Sequence, residues 1–165
     1  MRQPLFLYLY INYLGFMQTL NFPAYSFRFK KVQNQIYIFD FIRKKYVVLT
    51  PEEWVRQHTL HYLIYDKKYP QNLIAVEKQL RINQTKRRFD IVVFNRNMQP
   101  EILVECKAPT VAITQTTFDQ ANQYNWLLKA PYLFLTNGIK HIYCQIDFAQ
   151  NNFKFLQELP PHSGQ

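Results

Sequence analysis

Apolar and polar positions alternate along most of this chain in short β-type runs, broken by two stretches with helical spacing. Residues 36–39 (IYIF) and 46–49 (YVVL) are β-branched and aromatic and flank a basic turn, which predicts two strands. The run TPEEWVRQHTLHYLIYD (50–66) starts with Thr50 as an N-cap, Pro51 at the first helical position and Glu53 placed to complete a capping box. Trp54, Val55, Leu60, Leu63 and Ile64 give it an apolar side, predicting a helix of about four turns that ends before Pro70. Strand signals then crowd together at 73–80, 88–94 and 101–107. A second helix is predicted over 115–129, strands over 132–136 and 141–147 about a tight Asn137-Gly138 turn, and a short strand near 153–156. Helix, three strands, helix and two strands in that order predict an α/β fold with a mixed sheet.

Composition narrows the class. At 165 residues and 48% hydrophobic, the chain can bury the core of one domain. Its three glycines argue against a glycine-rich phosphate loop, and its two cysteines are too few for a disulfide framework or a Cys-rich zinc site. A reducing, cytoplasmic compartment fits. The formal charge of +9 favours polyanionic partners, nucleic acid above all. The cations cluster: Lys78, Arg81, Lys86, Arg87 and Arg88 precede Asp90 with no acid between them, and Arg28, Lys30, Lys31, Arg43, Lys44 and Lys45 form a second group.

The ends are set apart. Residues 1–16 hold an apolar stretch, Leu5 to Phe16, too short to cross a bilayer and followed by no cleavage signal, so no membrane role is expected. They are read as a non-native or disordered extension ahead of Met17, with one domain over 17–160 and a polar tail over 161–165.

Residues 101–110 (EILVECKAPT) put two charges, Glu105 and Lys107, into an apolar strand. The loop 95–100 is centred between residues 97 and 98, so a symmetric hairpin sets Asp90 opposite Glu105, with Cβ atoms about 5 Å apart. Carboxylates that close repel unless a cation or proton lies between them. Glu105 and Lys107 share a strand face, whereas Cys106 points away. Asp90 and Glu105 are hard oxygen ligands suited to Mg²⁺, with Mn²⁺ as an alternative, and the Cys106 carbonyl is an extra candidate ligand. Lys107 is the candidate for holding an attacking water or offsetting charge on a phosphate.

RFDIVVF followed by ILVECKAP resembles the PD-(D/E)xK nuclease superfamily. With TPEEWVRQH, VEKQL, FDQANQYN, APYLFLTNG and LQELP, the chain more narrowly resembles the N-terminal domain of type I restriction enzyme R proteins, in a small stand-alone form. Phe89 stands where the motif's proline would be. The resemblance implies a restriction-endonuclease-like mixed sheet flanked by helices and Mg²⁺-dependent hydrolysis of DNA phosphodiester bonds. It also makes Gln120 and Tyr124, a Q-x-x-x-Y pair on one helix face, assistants beside the active site. Glu53 and Glu77 are candidate outer metal ligands, and Lys86, Arg87 and Arg88 candidate phosphate contacts. With no motor motif in the chain, action alone, as a homo-oligomer or with a separately encoded partner is implied.

Other signals are set aside. His58 and His61 lack further ligands for zinc, and Trp54 and Trp126 are expected in the core. The rival reading is a nucleic-acid-binding module of the same fold without turnover; a structural partner protein is a third.

Overall fold

The computed structural model describes residues 17–82 and 85–162. Residues 1–16 and the last three of the tail lie outside the described residues. Strands β1 (Phe29–Val32), β2 (Gln35–Asp40) and β3 (Lys45–Val48) form an antiparallel three-stranded sheet. Helix α1 (Pro51–His61) follows, then a π turn (Tyr62–Asp66) and a 3₁₀ turn (Gln71–Leu73). A six-stranded sheet runs in chain order: β4 (Ile74–Ile82), β5 (Thr85–Phe94), β6 (Pro100–Cys106), β7 (Tyr132–Thr136), β8 (His141–Asp147) and β9 (Asn152–Leu156). Helix α2 (Gln115–Leu128) carries the chain from β6 to β7, which pair in parallel while every other pair is antiparallel. The sheet is therefore mixed, as expected.

Two apolar clusters fill its faces. Ile91, Val93, Ile102 and Val104 pack with Trp54, Val55 and Leu60 of α1 and with Ile38 of β2. Val92, Leu103, Leu133 and Leu135 pack with Phe118, Ala121 and Leu128 of α2. Burial on both faces is why these strands read as continuous apolar runs rather than alternating ones.

Helix α1 departs from its expected form. Every residue from Glu53 to His61 is buried, since the small sheet covers one side and the large sheet the other. The Thr50 hydroxyl accepts from the Glu53 N–H at 3.0 Å, as its N-cap position requires, but the Glu53 carboxylate does not close a capping box. It binds Arg43, Arg56 and Gln57 instead. The capping box occurs at α2, between Thr114 and Thr117. The α-helical part of α1 is also shorter than four turns, because the π turn takes over at Tyr62. His58 and His61 are ring-packed, as expected: His58 lies 4.1 Å from the Trp54 ring and 4.6 Å from Phe27. Trp54 is buried, but Trp126 is half-buried at the rim, edge-on to Phe148 beneath the Lys129 ammonium.

Strand β1 was not predicted, since FKKV offers only a short and half-charged signal. The β7–β8 connection spans residues 137–140, with the Asn137 Oδ1 accepting from the N–H groups of Ile139 and Lys140. Gly138 has φ +82°, and a Cβ there would meet the Leu20 side chain at 2.7 Å. Among the described residues, no helix is long and apolar enough to cross a membrane.

Candidate active site

The β5–β6 hairpin pairs Ile91 with Val104, Val92 with Leu103 and Val93 with Ile102. One step further along this register lie Asp90 and Glu105. A bulge at Val93/Phe94 absorbs the uneven loop, so β6 already begins at Pro100.

The regular ladder stops at Asp90 on its other side as well. Strand β4 pairs Val76 with Ile91 and Lys78 with Phe89, leaving Glu77 and Asp90 unpaired between them. Glu77 takes a left-handed backbone, φ 49°, which a residue with a side chain adopts only at some cost. The alternation of β5 breaks at the same point. Ile91 and Val93 face the α1 cluster, yet Phe89 joins Val92 and Phe94 in the α2 cluster. Asp90 is thereby turned out of the ladder, and its side chain is only 15% exposed.

Both oxygens of Asp90 are held. Oδ1 accepts from the Arg56 guanidinium at 2.8 Å and Oδ2 from the Cys106 N–H at 2.8 Å. The second bond ties Asp90 to the peptide that joins Glu105 to Cys106. Lys107 lies just past the end of β6, where its N–H donates to the Thr136 carbonyl at 2.8 Å and its ammonium donates to Glu105 Oε1 at 2.6 Å.

Electrostatics follow from this crowding. Burial raises the pKa of Glu105, the charge of Asp90 raises it further, and Lys107 offsets part of the rise. Burial works against the Lys107 ammonium, but its hydrogen bond to Glu105 and the charges of Glu105 and Asp90 outweigh that and raise its pKa. Lys107 is thus a charged hydrogen-bond donor at neutral pH. The Cys106 thiol is fully buried and its pKa is pushed well up by burial and by Asp90, so it is no nucleophile.

Behind Asp90 stands a buried network that sequence reasoning missed. Arg56 also bonds Glu53 at 2.5 Å and Glu52 at 2.9 Å. Arg43, in the β2–β3 turn, reaches Asp40 at 2.6 Å, Glu53 at 2.5 Å and Glu77 at 2.7 Å. Gln57 donates to both Asp40 and Glu53. The i, i+3 and i, i+4 spacing of Arg56 from Glu53 and Glu52 was the available signal. The reach of Arg43 across 34 residues to Glu77 had none.

The other expected site residues lie on α2, on β5 and in the buried network. Gln120 is exposed on α2, and Tyr124 is half-buried against the α2 cluster. The Arg88 side chain is 64% exposed, with its guanidinium 3.8 Å from Glu77. The side chains of Lys86 and Arg87 lie outside the described residues. Glu53 and Glu77, expected as outer ligands, are both paired with Arg43.

Carboxylate and carbonyl oxygens, the atom types that Asp90, Glu105 and Cys106 can offer, are the hard donors that suit Mg²⁺ or Mn²⁺. Among the described residues, no group of three or more His, Cys, Asp or Glu side chains could hold a metal ion, so water or phosphate oxygens would have to fill the other positions. The cation requirement is met here by Arg56 on Asp90 and Lys107 on Glu105.

Fold and site thus define an α/β domain with paired carboxylates and a lysine where two neighbouring strands meet. Residues 51–160 match the family described as type I restriction enzyme R protein N terminus, and the chain belongs to that family. Among solved structures, it is similar to a fragment of a protein described as an HsdR subunit of a type I restriction enzyme from Vibrio vulnificus YJ016. That match has 20% identity and a TM-score of 0.44, and covers 64% of this chain and 23% of the other. The matched part therefore makes up about a quarter of that fragment's length. No curated protein matches it.

Proposed function

We propose that this chain is a metal-dependent nuclease domain of the PD-(D/E)xK type, hydrolysing DNA phosphodiester bonds. The observation that carries the reading is the approach of Asp90, Glu105 and Lys107, with Asp90 bonded to the Cys106 N–H at 2.8 Å and Lys107 to Glu105 at 2.6 Å. Membership of the type I restriction R-protein N-terminal family supports it.

Asp90 and Glu105, with the Cys106 carbonyl, would hold Mg²⁺ or Mn²⁺. When bound, the ion supplies Lewis acidity at phosphate and a more acidic water. Asp90, fixed by Arg56 and the β6 backbone, keeps its carboxylate aimed with little freedom to swing. Lys107 stays protonated and can only donate, so its work is to orient the attacking water and to offset charge growing on the phosphate. Glu105 holds the ammonium in place. Arg88 is exposed, with a long 3.8 Å ion pair to Glu77 that a phosphate could replace, and Lys86 and Arg87 stand beside it in sequence. Gln120 and Tyr124 would assist from α2.

A second reading, nucleic-acid binding without turnover, is favoured by one observation: both carboxylates already have protein cations as partners. Supercoiled plasmid incubated with the protein and Mg²⁺ separates the two. Nicking that is abolished by EDTA and by Lys107→Ala supports the nuclease. Retarded but intact plasmid supports the binder. On this reading the domain works alone, as a homo-oligomer or with a partner protein.

A further inference from the structure

The outer face of the three-stranded sheet carries a second feature, remote in sequence from Asp90 and Glu105. Alternation along these strands turns Phe29, Ile36, Ile38 and Val47 into the core and leaves Tyr37, Phe39 and Tyr46 on the opposite face, each partly exposed. The register sets Lys30 against Tyr37 and Phe39 against Tyr46. The Phe39 and Tyr46 rings meet edge-on at 5.1 Å. The Arg28 guanidinium lies 3.8 Å over Phe39, and the Lys30 ammonium lies 4.6 Å from the Tyr46 ring centre and 5.4 Å from that of Tyr37.

Charge on this module is one-sided. From residue 26 to residue 51 the only acid is Asp40, which is fully buried and bound to Arg43 and Gln57. Arg28, Lys30, Lys31, Lys44 and Lys45 are all exposed, and among the described residues none of the five makes a salt bridge. Cations without acids repel one another and attract a polyanion. Rings in reach of those cations add what a duplex backbone cannot use: flat faces for unpaired bases.

We propose that this sheet face is a stacking platform for single-stranded nucleic acid. Bases stack on Tyr37, Phe39 and Tyr46, while Arg28 and Lys30 move off the rings to meet phosphates. The inference rests on the nuclease reading in that it names the strand form presented to the site. Arg43 and Asp40, at the β2–β3 turn, tie the platform to α1 and so to the network behind Asp90.

The test is fluorescence anisotropy of the full chain, in EDTA, with labelled oligo-dT and with a duplex of equal length. The double variant Tyr37→Leu/Tyr46→Leu keeps every charge. It is expected to weaken oligo-dT binding at least about tenfold, with duplex affinity and the salt slope unchanged. Equal losses on both ligands, or none, would overturn the platform. Should the double variant unfold, photocrosslinking of the wild type to a 5-bromodeoxyuridine oligomer decides: adducts at Tyr37, Phe39 or Tyr46 support the inference, and adducts confined to other residues refute it. Plasmid nicking in Mg²⁺ keeps the two readings apart. Nicking without ring-dependent binding sinks the platform alone, and ring-dependent binding without nicking sinks the nuclease alone.

Discussion

Arg56 on α1 donates to Asp90 on β5 at 2.8 Å, and that single bond connects the candidate active site to the acids buried behind it. The Arg56 side chain is 5% exposed. Burial works against its charge, and Asp90 foremost among its neighbours more than compensates. Arg56→Met would strand Asp90 and part of the Glu53 charge in a buried setting, at a cost of about 3–5 kcal/mol. Arg56→Lys keeps the charge but loses the fork that serves three acids, and should fall between the two. Guanidinium chloride unfolding measures both; a loss for Arg56→Met below about 1 kcal/mol would contradict the account.

Glu105 makes a prediction about pH. Its pKa is raised by burial and then by Asp90, so the folded chain binds this proton more tightly than the unfolded chain. The contribution to stability is present at low pH and is lost as pH rises through the raised value. As pH rises upward from the ordinary carboxylate range of about 4, the stability difference between wild type and Glu105→Gln should move in favour of the variant. Urea midpoints across that rise would show it; a constant difference would not fit. Ion binding at Asp90 and Glu105 would have to displace the same proton, so affinity for Mn²⁺ should rise over the same interval.

His58 predicts the opposite slope. Burial lowers its pKa from 6.5 to about 4, with the hydrogen bond to the Trp54 carbonyl acting the other way. The unfolded chain therefore binds more protons between those values, and stability falls as pH drops from about 6.5 to 4, by on the order of 3 kcal/mol for this residue. Thermal unfolding of His58→Gln should lose much of the acid sensitivity of the wild type. Unchanged acid sensitivity would count against the burial argument.

Gly138 is held by conformation and by space together. Its φ of +82° is unfavourable for a side chain, and a Cβ would press on Leu20 and on Val55. Gly138→Ala is expected to cost about 2–4 kcal/mol, combining backbone strain with overpacking. Unfolding by urea would measure it, and a neutral effect would mean that Leu20 yields freely.

Much of this was legible in the residues because local signals agreed with the final packing. The strands of the large sheet announce themselves by β-branched runs, and the symmetry of a short hairpin suffices to bring Asp90 and Glu105 to matching positions. The type of α1 was readable from Thr50 and Pro51, but not the fate of Glu53, because a capping glutamate and a buried network glutamate look alike until the partners Arg43 and Arg56 are in place. The left-handed Glu77 and the face change at Phe89 were likewise silent, since both fall where the β4–β5 pairing skips Glu77 and Asp90, a register feature that local residue preference does not encode. Strand β1 escaped because its partner across the turn, not its own composition, makes it a strand.

Calorimetric titration of Mn²⁺ into the protein, with its Asp90→Asn and Glu105→Gln variants alongside, tests the central claim most directly. The account predicts saturable uptake by the wild type that is lost or strongly weakened in both variants. No uptake even with DNA present, or uptake that both variants retain in full, would contradict it.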